Sequence, residues 1–122
     1  MRVQERMTKD VRIANPDQPI SDAAKMMAEC DCGALPVAEN DRLAGMITDR
    51  DIAVRAVAKG KGPDTPVREV MSEGICYCFE DQDIGEVAAN MADIQVRRLP
   101  VLNRDKQLVG ILSIGDIARS DG

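Results

Sequence analysis

Leu35-Pro36-Val37 returns later in the chain as Leu99-Pro100-Val101. The offset, 100 − 36 = 64, is about half of the 122 residues, and it also carries Met7 onto Met71 and Met27 onto Met91. One residue of slippage then superposes Gly45-Met46-Ile47-Thr48-Asp49-Arg50-Asp51 on Gly110-Ile111-Leu112-Ser113-Ile114-Gly115-Asp116. A chain duplicated in this way is confined to two copies of one half-fold. Because each copy ends in Gly, two apolar residues, a hydroxyl and an Asp, two related sites are implied. Half-domains of roughly 55 residues are marginal alone and more stable when packed together. One folding unit is therefore expected, with a first repeat over 1–60, a linker over 61–66 and a second repeat over 67–122.

Within the first repeat, Val11-Arg12-Ile13-Ala14 reads as a short strand, followed by a turn at Asn15-Pro16-Asp17-Gln18-Pro19. Ile20, Ala23, Ala24, Met27 and Ala28 recur at helical spacing, with Ser21 or Asp22 as candidate caps, and that helix should end by Gly33. Ala34–Ala38 and Leu43–Ile47 bracket a polar Glu39-Asn40-Asp41-Arg42 turn and read as a hairpin. A second amphipathic helix follows over Asp51–Ala58, closed by Lys59 and Gly60. The second repeat gives the same order, with a helical lead-in at Val67–Met71 matching the region around Met7. A strand is expected over Ile75–Phe79, a helix over Ile84–Ile94, a hairpin through Leu99 and Leu108, and a last helix from near Ile114. The methionines at helical spacing, Met27 and Met91 among them, read as core filler. Neither β-α-β-β-α half has enough helix to cover both faces of its sheet, so the halves should pack about a pseudo-two-fold axis.

Composition removes several function classes. A net charge of −5 opposes nonspecific nucleic-acid binding, and with Tyr77 and Phe79 as the only aromatic residues there is no base-stacking platform. The chain has no histidine, the usual general base near neutral pH and the commonest metal ligand. No P-loop and no persuasive nucleophile–base pair stands in its place, so no enzyme is expected. The start lacks the apolar core of a signal peptide and no run is long enough to cross a bilayer, which makes the cytoplasm the expected compartment.

The cysteines form two C-x-C pairs, Cys30/Cys32 and Cys76/Cys78. In a reducing compartment, buried thiols or metal ligands are expected before disulfides. Four thiolates can close a zinc site, but structural zinc sites usually space their cysteines by two to four residues. Cys76 and Cys78 fall in a strand, where one should point inward and the other outward.

Thr48-x-x-Asp51 and Ser113-x-x-Asp116 each stand where a strand gives way to a helix. A hydroxyl at the N-cap with an acidic residue three positions on forms a capping box, which needs no ligand. The same groups also make one edge of a cleft. The helix start offers donors to a phosphate, and the carboxylate accepts from a vicinal diol. The opposite wall would be Gly33-Ala34-Leu35-Pro36 in one repeat and Arg97-Arg98-Leu99-Pro100 in the other. In the first cleft Asp49 adds a like charge beside the phosphate position, which Arg50 offsets. In the second, Arg97 and Arg98 favour a polyphosphate, although adjacent side chains at a strand start diverge.

These residues together resemble a pair of cystathionine-β-synthase (CBS) domains, a Bateman module, over nearly the whole chain. The resemblance implies an α+β fold of tandem β-α-β-β-α repeats and an intramolecular pseudo-dimer. It also implies two clefts for adenosyl ligands such as AMP, ADP, ATP or S-adenosylmethionine, with no cofactor required. By position, Asp51 and Asp116 would hold ribose hydroxyls, and Thr48 and Ser113 would contact ribose or phosphate. Ala34, Leu35, Leu99 and strand residues near Ile13 and Ile75 would enclose the base. The expected role is a non-catalytic sensor acting on a second copy of itself, as a homodimer, or on a separate effector protein, with no nucleic acid or membrane involved. The alternatives are a ligand-independent structural or stress-related homodimer, and a metal or redox protein built on Cys30, Cys32, Cys76 and Cys78.

Overall fold

The computed structural model describes residues 1–118. It packs as two compact units whose boundaries differ from those of the sequence repeat. The central unit is the continuous segment Arg12–Ile75, and the split unit joins Met1–Val11 to the described chain from Cys76 onward.

In the central unit, α1 (Ile20–Cys30) precedes an antiparallel hairpin of β1 (Ala34–Glu39) and β2 (Arg42–Thr48). The turn places Asn40 and Asp41 at φ 53 and 64. Asx residues enter this left-handed region more readily than others, and a loop with both residues there matches the twist of the flanking strands. The α2 segment opens as an α-turn (Asp49–Asp51), widens into a π-helical stretch (Ile52–Ala56) and tightens to a 3-10 turn (Val57–Lys59). Gly60 stops it at φ 77, where the absence of a Cβ removes the steric penalty. Ala14, Ile20, Ala23, Met27, Leu35, Val37 and Ile47 form the core, completed by Val67, Val70 and Met71.

The split unit repeats this plan. A parallel partner strand β3 (Cys78–Phe79) lies beside β4 (Arg98–Leu102), which pairs antiparallel with β5 (Leu108–Ser113). The helices are α3 (Ile84–Ile94) and, beyond β5, α4 (Ile114–Ala118). Ile84, Val87, Met91, Leu99, Val101 and Leu112 take the core positions of Ile20, Ala23, Met27, Leu35, Val37 and Ile47, and Val3 completes this core as Val67 completes the other. Even the irregularities repeat, since the strand register shifts after Val37 in one hairpin and after Val101 in the other. Asp17 and Asp81, both in the turn before the first helix of their repeat, each pair with an arginine, Arg68 and Arg104. Arg104 also lies 4.2 Å over the Phe79 ring, and its two hydrogen bonds hold the Asp81 carboxyl below the usual carboxylate range.

The lead-ins are exchanged. Val67–Glu69, the 3-10 turn that opens the second repeat, packs in the central unit, while Val3–Glu5, which opens the first, packs in the split unit. Each lead-in ends by forming a single antiparallel bridge to the last strand of its host. Met46 and Ser72 exchange N–H···O bonds of 3.0 and 2.8 Å, and Ile111 and Thr8 exchange bonds of 3.0 and 2.8 Å. A Cβ at Gly45 would collide with the Ser72 carbonyl oxygen, and one at Gly110 would stand 2.7 Å from the Thr8 carbonyl oxygen. The repeated glycine of the sequence motif is therefore the place where a foreign backbone crosses.

The same exchange corrects the expected strands. Val11–Ala14 contributes only Ala14, whose N–H donates to Pro36 O and whose carbonyl accepts from Ala38 N–H, both at 3.0 Å. Ile75–Phe79 contributes only Cys78 and Phe79. The lost residues are where the chain passes between units, Val11 to Arg12 and Ile75 to Cys76. The caps expected at Ser21 or Asp22 are also corrected, because Pro19 is the N-cap and has no side chain to accept from the helix. The free N–H groups of Ile20 and Ser21 go instead to the backbone carbonyls of Thr65 and Pro63, at 2.8 and 3.1 Å. Asp83 does cap α3, accepting from the Gly85 and Glu86 N–H groups.

Gly45→Ala and Gly110→Ala should each lower stability by about 1–3 kcal/mol, the usual penalty for overpacking against a fixed neighbour. Gly62→Ala, which meets nothing within 4 Å, should be neutral or stabilise by up to about 1 kcal/mol. Urea unfolding of the three variants checks the contrast.

Candidate functional site

In the central unit the register sets Ala34 opposite Thr48, bringing the start of β1 beside the end of β2. Thr48 is the N-cap of α2. Its Oγ1 accepts the Asp51 N–H at 3.0 Å, and Asp51 Oδ2 accepts the Thr48 N–H at 3.0 Å. The Asp49 N–H donates to the Gly33 carbonyl at 3.0 Å, which ties the helix start to the opposite wall. The split unit reproduces each part. Arg98 lies opposite Ser113, and Ser113 and Asp116 exchange the same two bonds at 3.1 Å each. The Ile114 N–H donates to the Arg97 carbonyl at 3.0 Å. Both motifs are therefore capping boxes, as the spacing allows.

The two boxes differ in their surroundings. Asp51 uses one oxygen in the cap, while Oδ1 lies 3.9 Å from Arg55 Nη1, and its side chain is 15% exposed. Asp116 is buried, only 4% exposed. Asp49 is exposed beside the first box, and a Cβ at Gly33 would stand 3.0 Å from its Oδ2. Ile114 holds the Asp49 position in the second box, with exposed Arg97 just ahead of the facing strand and exposed Arg98 at its start.

The predicted base-enclosing residues separate into accessible and buried groups. Ile13 is exposed and Ala34 half-buried. Leu35, Pro36, Leu99 and Pro100 are buried. Ile75 is half-buried at the end of the central unit. In the split unit, Leu99 and the Cys76–Cys78 segment border a hollow of about 240 Å³ that also includes Asn90 and Ile94.

Arg55 was missed by the sequence reading. Its Nη1 donates to the Met71 carbonyl at 3.1 Å and the Ser72 Oγ at 3.4 Å, while the same nitrogen faces Asp51. The only sequence signal for it was the i,i+4 spacing from Asp51.

The two cysteine pairs differ in state. Cys30 and Cys32, expected as thiols, are bonded to each other in the central unit, because the turn at Asp31 brings their Cα atoms to 5.3 Å. Cys76 is exposed, ahead of β3, and Cys78 is buried at its start. Among the described residues no group of three or more Cys, Asp or Glu side chains is placed to hold a metal ion. Burial pushes the Cys78 thiol up to about 11.

The family model described as CBS domain matches residues 3–57 and 67–121. CBS domain-containing protein YhcV of Bacillus subtilis is 41% identical over 116 residues, spanning 95% of this chain and 82% of that protein. A crystal structure of Hypoxic Response Protein I with two coordinated zinc ions has a TM-score of 0.88 at 37% identity, covering 98% of each chain. The CBS domain pair of protein MJ0100, crystallised with 5′-methylthioadenosine and S-adenosyl-L-methionine, has a TM-score of 0.86 at 28% identity and covers 100% of this chain and 96% of that one. The chain belongs to the CBS domain family as a tandem pair, with the mixed helix and strand of its solved relatives.

Two outcomes follow from these geometries. Thr48→Ala and Ser113→Ala should each lose about 1 kcal/mol of stability without any ligand, since each removes a cap; thermal unfolding of the apo protein reads this directly. The raised Cys78 value means that the unfolded chain releases this thiol proton first. Its contribution is thus complete below the ordinary thiol range, about 8.5, and lost as pH rises toward about 11. Cys78→Ala should flatten that part of the alkaline stability curve, and at pH 8 maleimide should label Cys76 well before Cys78.

Proposed function

We propose that this CBS pair is a non-catalytic regulatory module that takes an adenosyl ligand at one or both capping boxes. The observation that carries the reading is the duplicated junction. At each, a hydroxyl and a carboxylate are held together at a helix start, in the positions that the family resemblance assigns to ribose and phosphate. The MJ0100 pair, crystallised with two adenosyl compounds, supports the ligand class.

The unlike surroundings support different ligand charges at the two clefts. Arg50 offsets the charge of Asp49 beside Thr48 and Asp51, so the central cleft lacks the net positive charge of the second and suits a neutral or cationic adenosyl compound such as S-adenosylmethionine. Arg97 and Arg98 beside Ser113 and Asp116 favour the phosphates of AMP, ADP or ATP in the split unit. A bound diol at Asp51 Oδ1 would compete with Arg55, which also holds Met71 and Ser72. Ligand binding would thereby reach the exchanged lead-in. Any resulting change in affinity for an effector protein or a second copy is bounded by the ligand's preference for one packing over the other.

One observation favours a ligand-independent module instead: both capping boxes are closed by the protein's own groups. Exposed Val54, Val57 and Ile114 would then serve assembly as a homodimer.

Isothermal titration with AMP, ADP, ATP and S-adenosylmethionine, with and without magnesium, separates the two readings. Asp51→Ala and Asp116→Ala should each weaken binding at their own cleft by about 1–3 kcal/mol, the range for losing a charged acceptor. S-adenosylmethionine should respond to the first variant and ATP to the second. No heat from any ligand at millimolar concentration would leave the ligand-independent homodimer as the account.

A further inference from the structure

We propose that Cys30 and Cys32 form a reversible redox pair, switched by dithiol–disulfide exchange, whose state is transmitted through Gly33 to the wall of the neighbouring capping box. The bridge closes over one residue, Asp31, at the end of α1. A loop this short removes little entropy from the unfolded chain, so the bond is a poor staple.

The second repeat shows that the turn does not need it. Ile94 and Val96 stand where the first repeat has Cys30 and Cys32. Gln95 takes φ 58 and ψ 43 where Asp31 takes φ 52 and ψ 46. The Cys32 and Val96 N–H groups both return to the carbonyl of a core methionine, Met27 and Met91, at 3.1 Å. One backbone therefore accommodates a bridged and an unbridged helix end. Cys30 and Cys32 are both half-buried, within reach of a small thiol. In the reduced state the Cys30 sulfur has an acceptor for its proton in the Met27 carbonyl, 3.8 Å away.

Gly33 follows the pair directly, and its carbonyl holds the Asp49 N–H at 3.0 Å. A closed bridge restrains the segment that presents this carbonyl, and an open one releases it. Reduction by a dithiol begins with attack of its thiolate on one sulfur and departure of the other as thiolate. The dithiol then closes its own disulfide on the mixed intermediate. Two electrons and two protons end on Cys30 and Cys32, and the dithiol is oxidised. Oxidised glutathione drives the reverse and leaves as two molecules of glutathione.

The test uses the full chain carrying Cys76→Ser, so that glutathione does not cap the exposed thiol. It is equilibrated with dithiothreitol or with oxidised glutathione, quenched, unfolded and alkylated. Intact mass should count two fewer thiols after oxidation, and the change should reverse. Amide exchange at Asp49 should be several-fold faster in the reduced protein, while Ile114, bonded to Arg97 in the unit without this pair, should exchange equally in both states. Cys30→Ser with Cys32→Ser should hold Asp49 at the faster rate under either treatment. Thiol counts that do not change with treatment, or an Asp49 rate indifferent to the bridge, would overturn the proposal.

Discussion

The carbonyl oxygens of Ser72 and Thr8 point into the space where side chains at Gly45 and Gly110 would stand. That pair of close approaches is the constraint on which the remainder depends. A glycine lets a foreign backbone lie against the last strand of each hairpin, and the bridge it forms seats Val67, Val70 and Met71 in one core and Val3 in the other. Without the foreign segment neither hairpin has its core closed on that side. The spacing of the duplicated motif therefore encodes two tasks in seven residues: a crossing point at its start and a helix cap at its end.

Periodicity and turn chemistry made much of this fold legible. The hairpins, α1, α3 and the stop at Gly60 follow from local signals, each reinforced by appearing twice. What was not legible depended on which segment lies beside which. Val11–Ile13 looks like a strand because its residue types suit one, yet it serves as a passage between units and pairs only through Ala14. Ser21 looks like a cap, yet the Pro63 and Thr65 carbonyls arrive from a segment that reads as linker. Local sequence cannot weigh a partner that is some forty residues away.

The capping geometry of the candidate site is legible in the sequence, and the burial of its apolar residues is less so. Thr48, Asp51, Ser113 and Asp116 stand as their spacing requires, because a capping box is a local object. Leu35 and Leu99 precede the repeated Pro-Val, and the structure buries both with the run that follows, a continuous burial that the sequence alone does not reveal. Arg55 went unnoticed because its partners, Met71 and Ser72, belong to the other repeat's lead-in. A cap and a ligand site place the same demand on a residue pair, namely a hydroxyl and a carboxylate fixed in mutual orientation. One motif meets that demand twice here, and the charges at Asp49, Arg97 and Arg98 distinguish its two copies.

The exchange of lead-ins also bears on how such a chain can be cut and joined. The central unit is one uninterrupted stretch, whereas the split unit is contributed by both ends of the chain. Severing the gene between the two repeats would therefore tear both cores and yield two incomplete halves. A deletion running from Arg12 through Ile75 would instead remove one whole core and splice the other together. The natural parts of this protein are nested in its sequence, one enclosed within the other, and the boundary at which it comes apart cleanly is not the boundary along which it was duplicated.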